Sequence, residues 1–180
     1  MIQLLLLFAL CVISFSGAAQ AFTLKSADIK EGEKIDAKFV FNGFGCTGGN
    51  VSPALNWTDA PSGVKSFAVT IYDPDAPTGS GWWHWVMYNI PANSDGLPQG
   101  AGSGGTTIPN DIIHARNDYG VQGYGGPCPP PGAPHRYIVT VYALSAEKLD
   151  IPADASPAMV GFMLGTHTLA KASLTAPYGR

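Results

Sequence analysis

Nine consecutive residues, 82–90, restrict this chain more than any other stretch. They read Trp82-Trp-His-Trp-Val-Met-Tyr-Asn-Ile90, a run rich in the aromatic and β-branched side chains that suit a strand. On an extended strand Trp82, His84, Val86 and Tyr88 share one face, and Trp83, Trp85 and Met87 share the other. Both faces are largely apolar. A strand of this kind belongs inside a sheet that is covered on two sides. A lone histidine among tryptophans is usually a satisfied core residue, but here the preceding strand ends in carboxylates that can partner it.

Further strands are expected at residues 64–72 and 135–144, and at 34–41, where Ile35, Ala37, Phe39 and Phe41 recur at period two. Proline and glycine punctuate every junction. The 22 glycines and 15 prolines follow no period, which excludes a collagen-like chain and favours a loop-rich, strand-dominated one. Helix signals are confined to the C-terminal part. Residues 145–150 suit one short turn. Ser156-Pro157 reads as an N-cap followed by proline at the first helical position, opening a helix to about residue 173. Within it Met159, Phe162, Met163, Thr166, His167 and Ala170 form a stripe expected to pack on the sheet. Residues 96–110 are expected to form a surface loop.

These elements predict a mainly β, β-rich α+β fold: a central antiparallel sheet packed on a smaller sheet, with a C-terminal helix. The chain has 180 residues, of which 46% are hydrophobic and 13% charged. That suits one domain with a sizeable core and argues against disorder. Net charge is −3, with no cluster of Lys or Arg. Nucleic-acid binding, which needs a basic face to neutralise phosphates, is set aside.

Residues 1–21 read as a signal peptide preceding one domain at 22–180. Leu4 to Phe15 is apolar apart from Ser14, too short a run to span a bilayer, and Ala19-x-Ala21 is a pattern cleaved after its second alanine. The n-region lacks Lys and Arg, and Leu10 before Cys11 is not the small residue of a lipoprotein signal. The expectation is cleavage after Ala21, a periplasmic or secreted location, and no transmembrane segment in the mature protein. Cys46 and Cys128 then remain, either as one disulfide or as two buried thiols; an even count in an oxidising compartment favours the bond.

Three segments carry chemistry. Asp73-Pro-Asp-Ala-Pro77 ends a strand with carboxylates on a rigid corner, because proline cannot extend the hydrogen-bond ladder. Binding residues are common at such ends, although Asx-type turns use the same residues. Trp82-x-His84 follows. The third segment, Gly126 to Tyr137, buries little side-chain mass and fixes much backbone, which suits the wall of a pocket. His135 and Tyr137 point to one face of their strand and can donate hydrogen bonds to an oxyanion, while Arg136, opposite, suits pairing with a carboxylate.

Asp73-Pro-Asp-Ala-Pro77, Trp82-x-His84 and Gly126-Pro-x-Pro-Pro…His135-Arg-Tyr137, in this order and spacing, resemble the phosphatidylethanolamine-binding proteins, also called Raf kinase inhibitor-like proteins. The likeness covers nearly the whole mature chain. Asn117-Asp118-x-Gly120-x-x-Gly123-Tyr124 and Cys46…Asn50-x-Ser52-Pro53 look like the bacterial exported branch. The resemblance implies that Asp73, Trp82, His84, His135 and Tyr137 line an anion pocket for phosphate, sulfate or a phosphorylated headgroup. It places Gly126 and Pro129 at the rim, and Asp75, Arg136 and Tyr178 in support. The run Pro129-Pro-Pro-Gly-Ala-Pro134 departs from the family pattern at that rim.

The expected function is a binding protein for a small anionic ligand, with a regulated or inhibited protein partner and no cofactor. A carboxylate beside an imidazole favours the imidazolium, so anion affinity is expected to rise as pH falls. Two other readings compete. One is an interaction module of the protease- or kinase-inhibitor type, acting through residues 42–50 and 96–110. The other is a metal-dependent enzyme using two histidines and a carboxylate, although no metal site is assigned. Ser-His-Asp hydrolysis is weaker, since the chain has no Gly-x-Ser-x-Gly elbow.

Overall fold

The structure, a computed structural model, describes residues 20–152 and 154–180. Nearly all of the expected signal peptide therefore lies outside the described residues. In chain order the elements are β1 (Thr23–Lys25), a 3-10 turn (Ala37–Phe39), β2 (Asn42–Gly43), β3 (Cys46–Thr47), β4 (Leu55–Thr58), β5 (Ser66–Asp73), β6 (Trp82–Pro91), β7 (Gly96–Leu97), β8 (Ile113–His114), β9 (His135–Leu144), α1 (Pro157–His167) and β10 (Thr168–Tyr178).

A five-stranded antiparallel sheet ordered β10-β9-β5-β6-β8 forms the centre. On one face it packs against the three-stranded sheet β1-β4-β7 through Leu24, Trp57, Phe67, Val69, Trp85, Met87 and Val139. The other face buries Ala68, Val86, Tyr88 and Leu144 together with Val160 and Leu164 of α1. Trp85, Met87, Tyr88 and Ile90 are all fully buried, each large side chain contributing on the order of 1.5–3 kcal/mol of transfer free energy. The tryptophan strand is thus interior and covered on both faces.

Its alternation is not simple, however. Ile71 pairs with Trp85 while Tyr72 pairs with Trp83, so His84 is an extra residue, a β-bulge. The bulge reverses the side-chain phase, so Trp83 joins the cluster of Val86 and Tyr88, opposite Trp85 and Met87. The two faces expected from strict period two are therefore corrected at this residue.

Other expectations also shift. Residues 34–41 are not a strand: Asp36 accepts from the Lys38 N–H and caps the 3-10 turn, burying Ile35 and Phe39 but leaving Ala37 exposed. Residues 145–150 form bends without a helical turn. The loop at 96–110 opens with β7 and sinks Leu97 and Ala101 into the core. The helix begins as expected, with the Ser156 hydroxyl accepting from the Met159 N–H, but ends at His167. From Thr168 the chain extends into β10, whose ladder with β9 runs to Tyr178. The buried stripe of α1 is Pro157, Val160 and Leu164, whereas Met159 and Phe162 are exposed.

Candidate functional site

β5 and β9 run side by side, and Asp73, at the end of β5, is only 3% exposed. Its Oδ1 accepts the Asp75 N–H at 2.8 Å, the Asx turn allowed by the sequence. Its Oδ2 lies 2.7 Å from Nδ1 of His135, the first residue of β9. The adjacent Asp75 turns outward. Its carboxylate takes Nε and a terminal nitrogen of Arg136 at 2.9 and 2.7 Å, and the Arg136 backbone N–H at 2.9 Å. These side-chain hydrogen bonds hold the Asp75 carboxyl at about 2, against opposing desolvation. The Asp73–His135 and Asp75–Arg136 pairs clamp the Asp-Pro corner onto the start of β9.

His84 reaches the same place from β6. Its Nδ1 is 2.7 Å from the Gly125 carbonyl and 3.1 Å from that of Gly126. Burial lowers its pKa to about 4, against the two carbonyls and the Asp73 charge, which favour the imidazolium. The glycines are required by close approach. A Cβ at Gly126 would collide with the Phe39 carbonyl, and one at Gly125 with the Tyr119 ring. The Gly126 N–H donates to Asn50 Oδ1 at 2.8 Å, fixing both carbonyls against the 42–50 loop.

Together these side chains line a cavity of ≈ 210 Å³. Asp73, Trp82, His84, Pro129, His135 and Tyr137 are all in its wall. Gly126 stands behind the wall, where its carbonyl orients His84 and accepts the Tyr119 hydroxyl at 2.9 Å. Tyr178 pairs with His135 across the sheet but does not line the cavity; Lys34 Nζ sits 5.4 Å from its ring. Cys46 and Cys128 are disulfide-bonded, with Cα atoms 6.0 Å apart, which ties the short β2–β3 hairpin to the proline-rich wall.

Two aromatic wall residues escaped the sequence reading. Tyr119 occupies the unspecified position of Asn117-Asp118-x-Gly120, stacks on Phe41 at 4.0 Å and meets Trp82 and His84 edge-on. Phe44, at the hairpin tip, is 73% exposed and holds a left-handed φ of 50°. A bulky aromatic residue between two glycines was the one signal the sequence offered.

Within the described residues, three buried side-chain polar atoms have no hydrogen-bond partner: Trp82 Nε1, His84 Nε2 and Tyr137 Oη. All three belong to residues that line this cavity. Burial, and secondarily the Asp73 charge, pushes the Tyr137 phenol up, so it remains a neutral hydroxyl. Among the described residues no group of three His, Cys, Asp or Glu side chains is placed to hold a metal ion, and both Asp73 oxygens are already engaged. No helix among them is long and apolar enough to cross a membrane.

Comparison with known proteins places the chain among relatives. The family model described as phosphatidylethanolamine-binding protein matches residues 25–179. The UPF0098 protein YbcL of Escherichia coli (strain K12) is 51% identical over 171 residues, covering 94% of this chain and 93% of the relative. The UPF0098 protein YbhB of the same organism is 54% identical over 155 residues, 86% and 98% of the two chains. The crystal structure of E. coli YbcL, a new member of the mammalian PEBP family, superposes with a TM-score of 0.86 at 50% identity, covering 89% of this chain and 99% of that one.

Proposed function

The chain belongs to the phosphatidylethanolamine-binding protein family, and we propose that it is an exported binding protein whose cavity takes a small oxyanion or phosphorylated headgroup. The observation that carries this reading is the convergence of three unpartnered buried polar atoms, on Trp82, His84 and Tyr137, in the wall of one cavity. An unpaired buried polar group costs about 1–3 kcal/mol, so three of them in one place favour a ligand that pairs them. The cavity suits a headgroup better than a whole lipid. Asp73 does not contradict an anion site, because its charge is spent on His135 and on the Asp75 N–H.

Calorimetric titration with inorganic phosphate and phosphoethanolamine tests this reading. A hydrogen bond to a charged group is worth about 1.5–3 kcal/mol, so Tyr137→Phe or Trp82→Phe should weaken binding by about 10- to 100-fold. Unchanged affinity in both variants would sink it.

Export is supported by the apolar leader followed by Ala19-x-Ala21 and by a disulfide suited to an oxidising compartment. Phe22, directly after the expected cleavage position, already packs on Phe67 with ring centroids 6.2 Å apart. N-terminal sequencing of protein from the extracytoplasmic fraction should begin at Phe22; a chain still beginning at Met1 would refute cleavage.

A further inference from the structure

Two carbonyl oxygens determine which way the His84 ring is protonated. Carbonyls only accept, so Nδ1, placed against those of Gly125 and Gly126, carries a proton in both charge states of the ring. Nε2 is therefore the atom that titrates, and it is the buried, unpartnered one. The ring is 2% exposed. The titratable groups around it are Asp73 of β5, His135 and Tyr137 of β9, and Tyr119 of the segment after β8. Desolvation outweighs the Asp73 charge and the carbonyls, so the ring is neutral at pH 7 and Nε2 offers a lone pair.

Besides His135, whose Nδ1 is engaged by Asp73, the cavity thus presents an indole N–H that can only donate, a phenol O–H, and an imidazole lone pair that can only accept. A fully deprotonated anion brings acceptors alone. It satisfies Trp82 and Tyr137 but sets an oxygen lone pair against the His84 lone pair, unless His84 first takes up a proton. An anion with its own O–H satisfies all three atoms.

We propose that this cavity selects oxyanions that carry a proton, taking hydrogen phosphate and singly protonated phosphate monoesters in preference to sulfate and phosphodiesters. The proposal rests on the oxyanion reading above and narrows its ligand class. Hydrogen phosphate and sulfate have nearly the same size and, at pH 7.5, the same charge; they differ by the proton. A phosphate monoester loses its second proton near pH 6, so it qualifies only on the acid side of neutrality. A phosphodiester, the form of phosphate in an intact phospholipid headgroup, has no proton to give.

Calorimetry on the purified protein with inorganic phosphate, sulfate, phosphoethanolamine and glycerophosphoethanolamine, at pH 7.5 and pH 5.0, separates these cases. At pH 7.5 phosphate should bind at least about tenfold more tightly than sulfate, the equivalent of one pK unit of proton affinity. Between pH 7.5 and 5.0 sulfate should tighten as His84 becomes easier to protonate, and phosphoethanolamine should approach phosphate. Glycerophosphoethanolamine should follow sulfate. The comparison of free phosphate, monoester and diester also distinguishes an inorganic ligand from a headgroup. His84→Gln, whose amide can turn either N–H or C=O to the ligand, should bring the phosphate-to-sulfate ratio close to one; should that variant fail to fold, the wild-type pH series still decides. Equal affinities for phosphate and sulfate at pH 7.5, or tightest binding of the diester, would overturn the proposal while leaving an anion site standing. No binding of any of the four would remove the oxyanion reading itself.

Discussion

His84 shows how much one side chain depends on the backbone behind it. Its tautomer is set by the carbonyls of Gly125 and Gly126, and those are held by Asn50 and Tyr119. Gly126→Ala would drive a methyl group into the backbone at Phe39–Phe41, which cannot move aside as a flexible side chain could. Overpacking of this kind costs about 1–3 kcal/mol. The variant should lose about that much stability in urea unfolding and should also loosen His84, weakening phosphate binding; wild-type values in both assays would show that the close approach is not structural. The residue types of the cavity were legible in the sequence because Asp, His, Tyr and Trp at strand ends are unusual. Gly126 was legible too, but as a rim residue. Its position behind the wall follows from the 42–50 loop, which contacts it across a long stretch of chain.

At the scale of elements, β5, β6 and β9 lay close to where their composition placed them, since each is a run of aromatic and β-branched residues bounded by Gly or Pro. The bulge at His84 was not legible. It depends on the register between β5 and β6, and register is a property of a pair of strands. Its effect next to the site is direct: with the extra residue at His84, Trp83 leaves the face of Trp85 and packs with Val86 and Tyr88. The overlong helix failed for a related reason. Residues 168–173 carry no strong helix stop, and what draws them into a strand is the open edge of β9, with which β10 pairs along its length. Edge pairing supplies hydrogen bonds that a local propensity cannot anticipate.

Over the whole molecule, a sheet covered on both faces keeps His84 dry, and this has a consequence for stability. The group has an ordinary pKa of 6.5 when exposed in the unfolded chain and about 4 in the fold. Between those values the unfolded chain binds the extra proton and the fold does not, so protons favour unfolding. Stability should be intact above about pH 6.5 and should fall as pH drops towards 4, by on the order of 3 kcal/mol from this residue alone. Asp75, largely at the surface and held at about 2 by Arg136, acts only below about pH 4. Urea unfolding of the ligand-free protein from pH 7.5 to 4 measures the His84 window; a His84→Gln variant with an equally steep acid limb would assign the loss elsewhere.

The two-sided sheet was written in the sequence itself, because a strand with apolar side chains on both faces has no other stable place in water. Much of the cavity's inventory was likewise there, in three short segments with distinctive residue types, although Phe44 and Tyr119 of the wall lie outside them. Tertiary structure alone decided the rest: the reversal of phase at His84, the disulfide that ties the hairpin to the proline wall, and the nitrogen that carries the imidazole proton. Each depends on atoms far apart in the chain, and their distances exist only once the backbone has closed around them.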